Sequence, residues 1–400
     1  MPRKPFFTQA HRMEKSPPNI FGQREKLKTR FSREEIIDLS RAISDLDPPQ
    51  EVRDEIAGWM ASQTDLYKDN EFIRAELRKE FAGWFYNRYR VKLNPDTEIL
   101  MLPGQREAIN LAVLGTVNQG EKILILDPAF PIYRSAASLA QAEIVTLPLL
   151  ERNDYLPNLN LPKSTLSKAK ILLLNYPHNP TTAVADLNFY QEVIKLARKN
   201  NIVVINDAAY NEIYYEGFKP PSILQIEGAQ NYVLELHTFQ FTFNLIGLPL
   251  TFAVGGKELL SYLSEIKFNF YSPVADYIYR AGISAIKCYD TVSESMRRAY
   301  FKRREQVLSD IQKLGWKAKK PMGTHYVWME IPKRYRSAGF VQHIMRKTGV
   351  ILMPGSWFGE YGEGRVRISL THPEDILKEA FERIKEHGQV FQRKYKGVRN

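Results

Sequence analysis

The sequence predicts an α/β protein with a mostly parallel, mixed sheet in a large domain and a smaller α+β domain. Between residues 97 and 254, short and mostly apolar runs alternate with helical segments. This alternation is typical of parallel strands that are covered by helices on both faces. Beyond residue 284 the pattern changes, because a long helix with a polar face precedes two widely separated strands. With 400 residues, 44% of them hydrophobic, the chain can bury more than one core.

The elements follow in order along the chain. Apolar residues at helical spacing predict helical structure from residue 51 to 89. Apolar runs predict strands at 97–101, 122–126, 143–147, 171–175, 202–205, 232–236 and 251–254. Helices are expected at 107–114 and after Asp186, whose carboxylate is suited to cap a helix N-terminus. The C-terminal part is predicted to contain a helix at 292–314, strands at 324–329 and 366–370, and a helix at 373–387.

This order suggests three segments. Residues 1–50 are expected to form an N-terminal arm and a segment of the small domain, and the first thirty of them are basic. Residues 51–285 are expected to form the large domain. Residues 286–400 are expected to form the C-terminal small domain.

Composition argues against several classes of protein. The net charge of +11 comes largely from basic residues at the two ends, which we interpret as solvated termini, because no nucleic-acid motif accompanies them. No run reaches the ~20 apolar residues of a membrane-spanning helix. The one cysteine, Cys288, excludes an internal disulfide framework and a cysteine-cluster zinc site. We therefore expect a cytoplasmic protein without a metal, nucleic-acid or membrane partner.

Candidate site residues follow the predicted strands. In open α/β sheets, ligands bind beyond the carboxyl ends of the strands. Asn175 to Thr181 (Asn-Tyr-Pro-His-Asn-Pro-Thr) follows one apolar run, and Asp207 to Tyr210 (Asp-Ala-Ala-Tyr) follows the next. In the C-terminal part, residues 355–364 (Gly-Ser-Trp-Phe-Gly-Glu-Tyr-Gly-Glu-Gly) lead into Arg367.

In this order and spacing, these motifs resemble those of the class I/II aminotransferases of pyridoxal-phosphate (PLP) fold type I. Within this family, the motifs are most similar to those of LL-diaminopimelate and aspartate aminotransferases. The resemblance extends from about Ile37 to His387 and includes Phe243 to Gly247 before a predicted strand. It implies PLP as a cofactor and a dimer in which both chains build each site.

The resemblance also implies roles for individual residues. Asp207 matches the carboxylate that stabilises the protonated pyridine ring of PLP, and Asn179 and Tyr210 match the residues that hold the ring oxygen. Arg367 matches the arginine that binds the substrate carboxylate. The remaining cofactor contacts fall on Phe130 or Tyr133 for ring stacking, on Gly104, Gln105 and Arg106 for the phosphate, and on Thr238.

The chain departs from this family at the residue that carries the chemistry. The family stretch Ser-x-Ser-Lys-Thr-x-Asn-x-x-Gly-x-Arg aligns without a gap to residues 238–249. Its Schiff-base lysine falls on Phe241, and its phosphate-binding arginine falls on Pro249, so both residues are expected to line the cofactor cavity. Phenylalanine supplies neither the amine nor the general base, so no catalytic residue is assigned. In the same stretch Gln240 replaces a hydroxyl residue. Far from this stretch, near Leu39, Ala42 stands where the family has a glycine.

Three hypotheses remain. In the first, the protein has lost PLP-lysine transamination and acts as a non-catalytic binding, regulatory or partner subunit, either as a homodimer or with an active homologue. In the second, it is an enzyme of altered chemistry that binds PMP or another phosphorylated or amino-acid ligand without a covalent lysine, with His178 or His237 as substitute base. In the third, it is an ordinary PLP-dependent aminotransferase acting on an amino acid, with a lysine from elsewhere in the chain. A carboxylate ligand is expected, and in the first two hypotheses PLP, if bound, would not be covalent.

Overall fold

The computed structural model describes Gly22 and residues 35–62, 70–272 and 274–387. The predicted N-terminal arm, apart from Gly22, and the basic residues 393–399 lie outside these ranges. No helix within the described ranges is long and apolar enough to cross a bilayer.

Nine strands of the described ranges lie close to the predicted positions, and three strands of two residues each were not predicted. They are β1 (Ile37–Asp38), β2 (Ile99–Leu102), β3 (Lys122–Asp127), β4 (Glu143–Pro148), β5 (Ala169–Asn175), β6 (Val203–Asp207), β7 (Val233–Thr238), β8 (Thr251–Gly255), β9 (Tyr326–Glu330), β10 (Val350–Ile351), β11 (Met353–Pro354) and β12 (Arg365–Ser369).

Helices separate most of these strands, with two helices in succession before β2 and three before β9. They are α1 (Gln50–Ser62), α2 (Glu71–Tyr89), α3 (Gln105–Thr116), α4 (Ile132–Leu139), α5 (Lys163–Leu166), α6 (Leu187–Asn200), α7 (Phe239–Thr242), α8 (Lys257–Phe270), α9 (Asp276–Lys287), α10 (Tyr289–Lys313), α11 (Ser337–Thr348) and α12 (Glu374–Glu386).

Seven strands form the large sheet, in the order β2-β8-β7-β6-β5-β3-β4. The neighbours from β7 to β4 pair in parallel, whereas β8 is antiparallel to both β2 and β7. The predicted mostly parallel, mixed sheet is therefore confirmed. Its central strands are buried along their length, as the continuous apolar run Ile171 to Leu174 predicts.

A smaller sheet in the order β11-β12-β9 lies in the C-terminal part, and β1 pairs in parallel with β10. The N-terminal strand β1 therefore joins the C-terminal part. Two buried apolar clusters are present, one built mainly from residues 52–286 and the other from residues around 37–39 and 296–384. The division of the chain at residues 51 and 286 stays a prediction.

Local differences from the predicted elements have physical causes. The strand expected from Thr324 begins at Tyr326, because Thr324 has a φ of 69° and donates its amide to Ile213 instead of a neighbouring strand. The helix predicted after Asp186 is confirmed, since the Asp186 carboxylate accepts the Phe189 amide at 2.8 Å.

Candidate functional site

The carboxyl ends of β5, β6 and β7 open into a cavity of about 460 Å³, a size typical of small-molecule sites. Its opposite wall comes from the segment after β1 and from β12. Many of its lining residues were named in the sequence analysis, either as site residues or as departures from the family sequence. They are Ala42, Gln105, Arg106, Phe130, Tyr133, Asn179, Asp207, Tyr210, Gln240, Phe241 and Arg367.

Asp207 forms the floor of this cavity at the end of β6. One carboxylate oxygen accepts the side-chain amide of Gln105 at 2.7 Å and the backbone amide of Ala209 at 3.1 Å. The other accepts the hydroxyl of Tyr133 at 2.8 Å. Tyr133, expected as a candidate for ring stacking, thus has its hydroxyl bound to Asp207. Burial raises the pKa of the Asp207 carboxyl above its ordinary value of 3.8, although the three hydrogen bonds oppose this shift.

The Asp207→Asn variant should become more stable relative to the parent as pH rises from 4 to 7. Because the folded pKa of Asp207 is raised, the native state holds its proton more tightly, so the parent loses stability as the unfolded chain ionises. The new amide oxygen can still accept from Gln105 Nε2 and from the Ala209 amide, and the new amide nitrogen can donate to the Tyr133 hydroxyl oxygen. In denaturant titrations we expect the unfolding free energy of the variant, relative to that of the parent, to be larger at pH 7 than at pH 4. A variant that loses more stability at pH 7 than at pH 4 would contradict this.

Arg367 forms the polar wall of the cavity. Its side chain donates to Asn179 Oδ1 at 2.7 Å and to the Ser40 carbonyl at 2.9 Å, and its Nε has no hydrogen-bond partner among the described residues. The guanidinium carbon lies 4.0 Å from the centre of the Tyr326 ring, where the ring face stabilises a cation. Asn179 in turn donates to the Tyr210 hydroxyl at 3.3 Å. This arrangement presents a fixed cation to an anionic group in the cavity.

Phe241 occupies the cavity wall beside Tyr210. The two rings stack with centres 5.0 Å apart and planes 18° apart. Gln240 and Ile246 line the same cavity. No lysine lines the cavity in the part of the chain that the structure describes. The expectation that Pro249 also lines it is wrong, since Pro249 lies in the segment after α7, outside the lining.

Two predicted cofactor contacts lie outside the lining. Thr238 is buried and caps α7 by accepting the Gln240 amide at 3.4 Å. Gly104 precedes α3, whose N-terminus was expected to hold a phosphate. There the Glu107 carboxylate folds back towards the glycine, and a β-carbon built on Gly104 would collide with Glu107 Oε2. An anion of the chain itself therefore already lies at this helix N-terminus.

Neither histidine proposed as a substitute base lines the cavity. His237 pairs with the buried Glu235 at 2.8 Å, and His178 contacts Thr181 at 2.7 Å. Burial lowers the pKa of His178 to about 3. The expectation that either could act as base in this cavity is therefore wrong.

Sequence analysis missed His325, whose ring centre lies 5.1 Å from that of Phe241. Both of its ring nitrogens are buried without a hydrogen-bond partner among the described residues, and burial lowers its pKa to about 3. It stands behind Phe241 and does not line the cavity. The sequence around His325, at the start of a predicted strand, does not indicate its contact with Phe241, because the two residues are distant in the sequence.

Comparison with known proteins agrees with this architecture. The model of the aminotransferase class I and II family matches residues 34–384. LL-diaminopimelate aminotransferase from Halothermothrix orenii is 36% identical over 382 residues, covering 94% of this chain and 97% of the relative. The protein of the same name from Aquifex aeolicus is 36% identical over 383 residues, covering 95% and 99%.

Solved structures show the same fold. Substrate-bound BacF from Bacillus subtilis superposes with a TM-score of 0.90 at 29% identity, covering 96% of this chain and 98% of that one. A probable N-succinyldiaminopimelate aminotransferase from Thermus thermophilus superposes with a TM-score of 0.85 at 33% identity, covering 92% and 100%.

Proposed function

This chain belongs to the class I and II aminotransferase family, and from that premise we propose that it binds a carboxylate ligand without lysine-dependent transamination. In this role it acts as a non-catalytic binding, regulatory or partner subunit. The observation that carries the proposal is Phe241, whose ring lines the cavity where the family's sequence has its Schiff-base lysine. A hydrocarbon ring can neither form an imine nor accept a proton.

The family implies PLP, and the cavity fits this cofactor only in part. Asp207, Asn179 and Tyr210 are the groups that would contact its ring, and they meet at the cavity floor. The covalent anchor and the phosphate site do not fit. Phe241 offers no amine, and the Glu107 carboxylate would repel a phosphate at the N-terminus of α3. We therefore derive no chemical step through PLP and propose that any binding of it is weak and non-covalent.

The same cavity suits a carboxylate of the amino-acid or 2-oxo-acid class. Arg367 is 3% exposed, is held by Asn179 and Ser40, and keeps its Nε without a partner among the described residues. Buried donors that lack a partner favour a ligand that supplies the acceptor. Apolar groups of Phe130 and Phe241 line the same cavity as this cation and favour a ligand with an apolar part.

Amino acids and 2-oxo acids should raise the melting temperature of the protein, and Arg367→Ala should abolish this shift. A ligand at about 100 times its Kd adds about 2.7 kcal/mol to the stability of the folded state, which differential scanning fluorimetry resolves easily. Arg365→Ala on the same strand is the matched control, because Arg365 pairs with Glu151 and Glu330 instead of lining the cavity. If no carboxylate in a broad panel stabilises the protein, or if Arg367→Ala keeps the shift, the proposed ligand class is wrong.

The names of the relatives favour a second candidate, an aminotransferase or an enzyme of altered chemistry acting on an amino acid. In both candidates Arg367 binds the carboxylate of the ligand. The candidates differ in whether an amine or a base reaches the cavity. The second candidate needs such a group from outside the lining that the structure describes. It predicts that an amino acid incubated with PLP yields a 2-oxo acid and PMP, and that a 2-oxo acid incubated with PMP yields an amino acid and PLP, whereas the first predicts neither.

We further propose that the protein is a dimer, formed with a second copy of this chain. Phe268 and Phe270 near the end of α8 are 86% and 59% exposed, and Phe72 in α2 is 89% exposed. Exposed phenylalanine rings of this kind are typical of an interface, and the surface around Phe268 is the patch that we assign to it. An active homologue is the alternative occupant.

Sedimentation at micromolar concentration should give the mass of a dimer, and Phe268→Glu should shift it to the monomer by placing a charge in the patch. Tyr262→Glu is the matched control, since this exposed aromatic residue lies on the same helix, about 120° around its axis from Phe268. A parent protein that sediments as a monomer and recovers no homologue from its source would contradict the proposal.

A further inference from the structure

A second cleft, of about 470 Å³, shares no lining residue with the first cavity. It lies between α2, the segment after β6, and the junction of α9 and α10. Four of its lining side chains are cationic: Arg88, Lys219, Lys287 and Arg297. Its aromatic surface comes from Trp84, Tyr214 and Tyr289.

Beneath the cleft, Glu212 holds one of these cations in place. Its carboxylate is 1% exposed, accepts Arg88 Nε at 3.0 Å and the Tyr89 hydroxyl at 3.1 Å, and also accepts the Tyr289 hydroxyl. Nearby negative charge raises the pKa of the Arg88 guanidinium further above its usual range, although burial opposes this. Arg88 is therefore neutralised by the chain and forms part of a rigid floor.

The other cations of the cleft are not neutralised in this way. The guanidinium carbon of Arg297 lies 4.7 Å from the centre of the Tyr214 ring, and that of Arg88 lies 5.6 Å from the same centre. Two positively charged guanidinium groups therefore lie close to the same aromatic ring. Within the described ranges, Arg297, Lys219 and Lys287 have no carboxylate at ion-pair distance, although Glu80 and Asp290 line the same cleft.

Two buried donors in the cleft also lack acceptors. Arg297 Nη1 is buried without a hydrogen-bond partner among the described residues. The same holds for Nε1 of Trp84, a side chain that is 6% exposed. Buried donors without acceptors cost free energy, so a solvated charged surface does not account for them. An anion bound in the cleft would accept a hydrogen bond from the Arg297 guanidinium and would reduce the repulsion between Arg297 and Arg88.

We propose that this cleft binds a phosphate-bearing small molecule. A guanidinium and two lysine ammonium groups are the side chains that best recognise phosphate oxygens, the first through a planar fork and the others as point charges. The aromatic surface beside them suits a planar group attached to the phosphate. The site is independent of the carboxylate cavity and of its proposed function.

Isothermal titration with pyrophosphate and with AMP, at constant ionic strength, tests the proposal on the full-length protein. Both should bind, and Arg297→Gln should weaken binding at least about 10-fold, or about 1.4 kcal/mol. Arg298→Gln is the matched control, because the neighbouring Arg298 is 76% exposed and pairs with Glu294. Its affinity should equal that of the parent.

A second lining variant protects the test against misfolding. Lys219 is exposed, so Lys219→Gln should fold and should also weaken binding. Tighter binding of AMP than of pyrophosphate would support use of the aromatic surface, whereas equal binding would support a phosphate site alone. The proposal is overturned if neither probe binds at millimolar concentration, or if Arg298→Gln weakens binding as much as Arg297→Gln does.

Discussion

The double variant Phe241→Lys, Pro249→Arg should gain a visible absorption band on addition of PLP, which the parent protein lacks. The new amine would project from the wall that Phe241 occupies, beside Tyr210 and above Asp207. The arginine would supply the planar cation that a phosphate needs at this family position. The expected change is from no band to a saturable one, and absorbance during PLP titration measures it directly.

Two controls separate the roles of these substitutions. Phe241→Leu, Pro249→Arg provides the cation without an amine and should give no band. Phe241→Lys alone should give a weaker band, because Glu107 still lies at the N-terminus of α3 and no arginine offsets its charge. If the folded double variant gives no band, the view that the rest of the cavity keeps the family's cofactor-binding geometry is contradicted. In that case Gln240 and Ala42 are the residues that we expect to close the cavity.

Most of the large sheet was predictable because its strands are nearly continuous apolar runs, such as Ile171 to Leu174. A run of this kind has few alternatives to a strand buried on both faces. The start of β9 was not predictable, since the left-handed backbone of Thr324 depends on its amide contact with Ile213, which is distant in the sequence. Local sequence does not contain that contact.

The candidate site divides in the same way. Asp207, Asn179 and Arg367 were found because each follows or lies in a strand and matches a motif. The hydrogen bonds that Gln105 and Tyr133 donate to Asp207 were not foreseen, because they join residues 102 and 74 positions apart. They show that neutral donors of the chain itself satisfy the retained carboxylate.

The Glu107 carboxylate at the N-terminus of α3 is another feature that sequence analysis missed. A glutamate three residues after Gly104 is compatible with a capping interaction, but the motif resemblance directed attention to the backbone amides as a phosphate site. The side-chain direction decides between these roles, and it depends on tertiary packing.

The central claim that we propose is that the protein forms no imine with PLP, because no lysine of the described residues lines the carboxylate cavity. Borohydride reduction of the unmodified protein with added PLP, followed by peptide mapping, tests it most directly, because reduction fixes a cofactor only where an amine has formed an imine. We expect no band from a saturable imine and only scattered, substoichiometric labelling of surface lysines. Stoichiometric labelling of one lysine, with a strong absorption band before reduction, would contradict the claim.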